Sequence, residues 1–215
     1  MMPANNPEVD YQALVRRSYD ACAEKYGESR RVDPGIEIRG LLDRLENGAA
    51  VLDIGCGTGI PIAKSLTNRY YVTGVDVSRE MVRRARENVP TGEFLCDDVM
   101  SVEFEPSRFD AVVAFYSIFH IPREEHPTLF SRIHKWLKPG GYLLCTLSHT
   151  SEDGYTEDDF FGVTMYWSNY GLREYLVMLA DAGFRVVDVS STSSGYEDSF
   201  EGVIEDHPLV LVQKR

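Results

Sequence analysis

Long apolar runs are missing from this sequence: no stretch approaches the ~20 residues that cross a bilayer. The first residues, Met1-Met2-Pro3-Ala4-Asn5-Asn6, carry neither the basic nor the apolar region of a secretory signal. Cysteine is scarce. Cys22, Cys56, Cys96 and Cys145 show no metal-ligand spacing and no disulfide framework, so four thiols in a reducing compartment are expected. These absences together lead to the expectation of a soluble, cytoplasmic chain with no membrane partner. Positive charge is also short, with 22 Lys and Arg against 34 Asp and Glu, a net charge of −12. Gripping a phosphate backbone needs a cationic surface. The one basic cluster, Arg79, Arg83, Arg84 and Arg86, has the spacing of a solvated helix face, so no nucleic-acid partner is expected. Acids are plentiful in Glu152-Asp153 and Glu157-Asp158-Asp159, but no acid–histidine spacing accompanies them, and no metal site is expected.

What is present is a regular alternation. Asn6-Pro7-Glu8 opens a helix to about Tyr26, and Asp33-Pro34 opens a second to about Glu46. Strands follow at 50–54, 71–76, 93–96, 110–115 and 142–147, with helices at 58–66, 78–88 and 123–136 between them. Alternation of this kind means parallel β-α-β units in a doubly wound α/β sheet. A last helix near 170–182 precedes strands at 184–191 and 208–213, which have no room for a crossover helix and should pair antiparallel. No repeat or linker divides the chain. The expectation is one domain over residues 1–215, with cap helices in 1–47 and a long connection at 148–169 acting as a lid. Ligands on such sheets bind at the carboxyl ends of the strands.

The strongest local signal sits at the first of those ends, Asp53-Ile54-Gly55-Cys56-Gly57-Thr58-Gly59. Alternate glycines let the backbone turn sharply and approach a ligand closely. The spacing is G-x-G-x-G, not the G-x-G-x-x-G of dinucleotide sites. Asp53 would repel a diphosphate and suit an ammonium or sulfonium. Asp76 closes the next strand, 21 residues after Gly55, where an acid can accept both ribose hydroxyls of an adenosine. Its competing role, capping the following helix, can be filled by Ser78.

In these residues the sequence resembles the class I S-adenosylmethionine-dependent methyltransferases, motif by motif over roughly residues 8–147. The resemblance implies a Rossmann-like, mostly parallel seven-stranded sheet whose seventh strand is antiparallel. Asp53, Gly55, Cys56, Gly57 and Gly59 match the family's glycine loop, and Asp76 its ribose acid, with Val77 and Ser78 beside the adenosine. Phe94-Leu95-Cys96-Asp97-Asp98-Val99 matches the segment whose acid meets the adenine amino group; Asp98 aligns there, with Asp97 the alternative. Phe109–Tyr116 matches the fourth strand and its exit, bringing Phe115 and Tyr116 to the ligand edge. Leu137-Lys138-Pro139-Gly140-Gly141 matches the turn into the fifth strand. Tyr19 and Tyr26, seven apart on one helix face, resemble the cap helix of small-molecule members; they border the methyl donor or simply pack on the sheet.

The implied activity is transfer of a methyl group from S-adenosyl-L-methionine to a small metabolite or natural product, releasing S-adenosyl-L-homocysteine. Alignment of the reactants supplies most of such catalysis, about 7–11 kcal/mol. His120, beyond the fourth strand, is a possible base or acceptor orienter, or else stacks on the donor or caps a helix. His149 is a weaker candidate. Phe119 could line an acceptor pocket with Phe160, Phe161, Met165, Tyr166 and Trp167 of the lid, although those five could equally be a hairpin packing on the domain. The Asn/Asp-Pro-Pro-Tyr/Phe motif of nucleic-acid amino methylases is absent. The competing readings are an NAD-type oxidoreductase on a similar fold and a non-catalytic donor-binding subunit. The residues do not distinguish O, N, C or S as the methylated atom, nor do they give the oligomeric state.

Overall fold

The structure, a computed structural model, describes residues 10–29, 35–192 and 206–215. The sequence starts expected at Asn6-Pro7 and Asp33-Pro34 lie outside the described residues. Along the chain run α1 (Tyr11–Ser29), α2 (Gly35–Leu42), β1 (Ala50–Ile54), α3 (Ile62–Leu66), β2 (Tyr71–Asp76), α4 (Arg79–Asn88), β3 (Glu93–Cys96) and β4 (Phe109–Ala114). Then come α5 (His126–Trp136), β5 (Leu137–Thr146), β6 (Glu152–Phe160), β7 (Val163–Asn169), α6 (Leu172–Asp181), β8 (Phe184–Ser191) and β9 (Pro208–Lys214).

Seven strands form one sheet in the order β3-β2-β1-β4-β5-β9-β8. The first five are parallel, and β9 runs antiparallel to both β5 and β8. An antiparallel neighbour can be reached by a loop, whereas a parallel one needs a crossover. The order changes direction at β1, whose neighbours are β2 and β4, and the crevice at their carboxyl ends is the expected ligand position.

Alternation of side chains divides the core between the two sheet faces. Leu52, Val112, Ala114, Leu143, Cys145, Val210 and Val212 pack with Phe130, Trp136 and Leu179 of α5 and α6. Val51, Ala111, Val113, Leu144, Leu209 and Leu211 pack on the other face with Leu41, Leu66 and Val82 of α2, α3 and α4. Strands buried on both faces read as near-continuous apolar runs, which is why the five parallel strands stand out in the sequence.

Several boundaries depart from expectation for local reasons. The helix expected from Thr58 starts only at Ile62, because Gly57 and Gly59 hold positive φ and Pro61 sits at its N-cap. The helix expected from Arg123 begins as a 3-10 turn, Arg123–Glu125, before α5. The turn at 137–141 is part of β5, accommodated by a shift in register between Phe109 and Ala111 of β4. The connection at 148–169 is a hairpin of β6 and β7. Asp159, Phe161 and Gly162 all take positive φ and tighten its tip.

A third apolar cluster joins α1 to that hairpin. Val15, Met165 and Tyr166 are buried there, with Tyr11, Leu14, Val77 and Trp167 packed around them. The Ser18 hydroxyl also donates to the Thr164 carbonyl at 2.6 Å. Helix and hairpin together roof the carboxyl edge of the sheet.

Candidate functional site

Beneath that roof lies a cleft of about 790 Å³, counting its open mouth. Its floor is Ile54, Gly55 and Gly57 after β1, and Val75, Asp76 and Val77 after β2. Asp97, Asp98 and Val99 form one end, while Phe115, Tyr116, Ser117 and His120 form the other. Gln12, Tyr19 and Tyr26 of α1 close it from above. Gln12 went unnoticed in the sequence although it lies seven residues before Tyr19, on the helix face that Tyr19 and Tyr26 already marked.

The glycine loop folds as it does because each glycine meets a different demand. The Gly55 and Cys56 N–H groups donate to the Val75 carbonyl at 2.8 and 3.1 Å, which pins the loop to β2. Gly55 has φ 70°, and a Cβ there would lie 2.3 Å from the Ser117 Cβ. Gly57 has φ 52° and open space on its Cβ side, facing the cleft. Gly59 is turned the other way, against Ala85 of α4 and its C-cap Val89, so its role is packing. Cys56 is likewise buried in the α4-side core rather than set in the cleft wall.

Two acids stand at neighbouring strand ends. The Gly57 N–H donates to Asp76 Oδ2 at 2.9 Å, and the Ser78 N–H to Asp76 Oδ1 at 2.9 Å. Ser78 itself caps α4 through its hydroxyl oxygen, so Asp76 is not needed as that cap. Each Asp76 oxygen keeps a further lone pair. Burial pushes its carboxyl up to about 6, against the lowering pull of the two N–H groups. Asp53 is sealed at 2% exposure, and its Oδ2 has no hydrogen-bond partner. Burial, and then the charge of Asp76, raise its carboxyl to about 7. Asp53 therefore lies beneath the cleft floor of Ile54 and Gly55 and does not line the cleft itself, while its unpartnered carboxylate favours positive charge nearby.

Both acids of the third strand exit line the cleft. Asp97 Oδ1 accepts the Asp98 N–H at 2.8 Å. Asp98 is more heavily engaged, accepting the Met100 N–H at 2.9 Å and the Gln12 amide at 2.7 Å. Tyr116 leaves β4 with φ 51°, and its N–H donates to Thr146 Oγ1 at 2.6 Å. The Ser117 hydroxyl returns to the Ile54 carbonyl at 2.8 Å, locking this exit against the glycine loop.

His120 is buried between two fixed partners. Its Nδ1 lies 2.8 Å from the Tyr166 carbonyl, which can only accept, so Nδ1 carries the proton. Nε2 is thereby left to accept the Tyr19 hydroxyl at 2.7 Å. Burial lowers the imidazole to about 4, so it is neutral at physiological pH. Trp167 packs on its ring at 4.5 Å between centroids.

Other expected residues lie elsewhere. Met165 and Tyr166 are buried at 0% and 2% exposure in the cluster with Val15, with Tyr166 stacked on Tyr11 of α1, and neither lines the cleft. Phe119 is buried against His207 and Trp167, behind the cleft wall. His149 is half exposed beside Asp206, 3.6 Å away, and also stays outside the cleft. His207, stacked on Phe119 and edge-on to Tyr116, is the histidine nearer the site, and its lone place before β9 offered no pattern to find it.

The methyltransferase-domain family profile matches residues 51–141, from β1 into β5. Phosphoethanolamine N-methyltransferase 3 of Arabidopsis thaliana is 34% identical over 157 residues, 68% of this chain and 31% of that protein. The phosphoethanolamine N-methyltransferase of Plasmodium falciparum is 29% identical over 181 residues, 80% of this chain and 67% of its relative. The chain thus spans about a third of the length of the plant relatives it matches. Among solved structures, 1,6-didemethyltoxoflavin-N1-methyltransferase of Burkholderia thailandensis, with 1,6-didemethyltoxoflavin and S-adenosylhomocysteine bound, gives a TM-score of 0.72 at 20% identity. It covers 100% of this chain and 92% of its own, and the likeness is one of fold. That profile, on a mostly parallel sheet closed by antiparallel β9, is what the chain shares with S-adenosylmethionine-dependent methyltransferases of known structure. By profile, residues 51–141 are a methyltransferase domain.

Two stability measurements check this geometry. Gly57→Ala should cost about 1–2 kcal/mol in urea unfolding, the price of a left-handed alanine, and Gly55→Ala clearly more because of Ser117. Equal costs would contradict the loop packing. For Asp53, the folded-state value near 7 exceeds the ordinary 3.8, so the ionised form penalises folding above pH 7 and the penalty fades as pH falls toward 4. Asp53→Asn should therefore raise Tm at pH 8 and leave it unchanged near pH 4. A difference independent of pH would contradict the burial argument.

Proposed function

We propose that this chain transfers the methyl group of S-adenosylmethionine to a small-molecule acceptor, releasing S-adenosylhomocysteine. The observation that carries the reading is the pairing of an orphaned, buried Asp53 oxygen with an acid held at the end of β2 by Gly57 itself. When bound, the donor supplies an electrophilic methyl group on a positively charged sulfur. Asp53 and the glycine loop would hold its amino-acid end, Asp76 its ribose hydroxyls, and Asp97 or Asp98 with Val77 and Val99 its adenine. The open face of Gly57 is the space that a side chain would fill. The same acids weigh against a diphosphate-bearing dinucleotide.

The acceptor would enter beside Tyr19, Tyr26, Phe115, Tyr116 and His120, with the 152–169 hairpin as its cover. Tyr19 Oη would take a proton from an acceptor N–H or O–H while its own proton passes to neutral His120 Nε2, 2.7 Å away. The Tyr166 carbonyl holds the imidazole in the tautomer this requires. That proton path favours turnover over passive binding. Among the described residues lining the cleft none is Lys or Arg. We therefore assign a neutral or cationic acceptor, and do not extend to this chain the phosphoethanolamine in its relatives' names. No long nucleic acid fits the charge of −12. Among the described residues no helix is long and apolar enough to cross a membrane, and all four cysteines are unpaired. Both agree with the cytoplasm as the working compartment.

Calorimetry and product release divide these roles. Asp76→Ala should weaken S-adenosylmethionine binding at least 100-fold. Tyr19→Phe and His120→Ala should lower kcat by about 10²–10⁴-fold, the usual worth of a positioned base, with donor affinity within a few-fold of wild type. Wild-type donor affinity in the Asp76 variant would sink the site, and wild-type turnover in the His120 variant would remove the proton path.

A further inference from the structure

Asp20 lies on α1 outside the cleft lining, yet it joins parts of the chain 58 and 60 residues away. Its Oδ1 accepts the Ser78 hydroxyl at 2.7 Å and the Glu80 N–H at 3.1 Å. Ser78 is the N-cap of α4: its hydroxyl oxygen accepts the Met81 N–H at 3.1 Å, while its own N–H donates to Asp76 Oδ1. One oxygen of α1 is thus linked through a single serine to the acid that floors the cleft. The other oxygen of that acid holds Gly57.

Tyr19, the preceding residue, leaves the helix about 100° away and reaches His120 on the opposite side of the cleft. A single turn of α1 therefore grips the exit of β2 with Asp20 and the segment after β4 with Tyr19. Gln12, two turns earlier, adds a bond to Asp98 after β3. Three strand exits are tied to one helix.

We propose that Asp20 is a positioning residue that couples occupancy of the Asp76 side of the cleft to docking of α1, and through α1 to the placement of Tyr19 on His120. The inference rests on the donor site proposed above. A ligand held by Asp76 fixes the turn at 76–78, and the fixed turn presents the Ser78 hydroxyl and the Glu80 N–H to Asp20 in the geometry that docks the helix. The coupling is reciprocal: the factor by which the donor tightens docking of α1 is the factor by which the docked helix tightens the donor. Both bonds fall on one oxygen, so Asn at this position keeps the acceptor and removes only the charge. Ala removes both.

The test uses the full chain, S-adenosylhomocysteine titrated by calorimetry, and amide hydrogen exchange of residues 11–29 and 51–59 with and without that ligand. In the wild type, binding should slow exchange in both segments. Asp20→Ala should bind at least ten-fold more weakly; at saturating ligand it should protect 51–59 and leave 11–29 exchanging as in the free protein. Asp20→Asn should restore affinity and protection. Wild-type affinity and protection in the alanine variant would overturn the coupling. So would a lowered Tm with an unchanged Kd, the mark of a purely structural contact, or an asparagine variant that behaves like alanine. A wild-type chain that binds no S-adenosylhomocysteine would instead overturn the donor reading, and the coupling with it.

Discussion

Two carboxylates at the ends of adjacent parallel strands, one sealed and one opening on a cleft, are the constraint around which this molecule is arranged. Among the described residues neither Asp53 nor Asp76 forms an ion pair, and burial holds both carboxyls well above the ordinary range. Such a pair costs stability in the free chain. The fold tolerates it by giving Asp76 two backbone N–H groups, while leaving one oxygen of Asp53 unsatisfied. A site that penalises its own negative charge is poised for a ligand that brings positive charge. In the proposed donor site, that is the physical link between the sheet and methyl-donor chemistry.

The second requirement is exclusion of water, and here α1 and the β6–β7 hairpin act as one roof. Their shared cluster of Val15, Met165 and Tyr166 is apolar, but its polar edges are functional in character. The carbonyl of Tyr166, whose ring packs in the roof, orients His120, and Tyr19 of the helix meets the same imidazole. Packing and the proton path proposed for Tyr19 and His120 would therefore depend on the same residues. Damage to the roof would reach the cleft without touching a residue on its floor.

Much of this was legible in the sequence because it is imposed locally. Parallel strands buried on both faces must read as apolar runs, and a loop that turns sharply at Gly55 and Gly57 must carry glycine there. The acid at position 76 follows from strand length and loop spacing. What was not legible depends on which face of an element meets which neighbour. The 152–169 hairpin advertises its aromatics, but period-two alternation does not say that Met165 and Tyr166 are both buried in the cluster with Val15 while the Tyr166 carbonyl meets His120. His149 and His207 illustrate the same limit. His149 lies just beyond β5 and His207 just before β9, yet only His207 packs on Tyr116 of the cleft wall and on Phe119 behind it. Asp20 was invisible because its partners are backbone and hydroxyl groups far along the chain, and such contacts leave no spacing to detect.

The central claim, that the paired acids and the glycine loop form a methyl-donor site, is tested most directly by a crystal structure grown with S-adenosylhomocysteine. The account predicts the ligand lying across Gly57 with its ribose hydroxyls on Asp76 and its amino-acid end toward Asp53. An empty cleft, or a ligand whose sugar is turned away from Asp76, would contradict it.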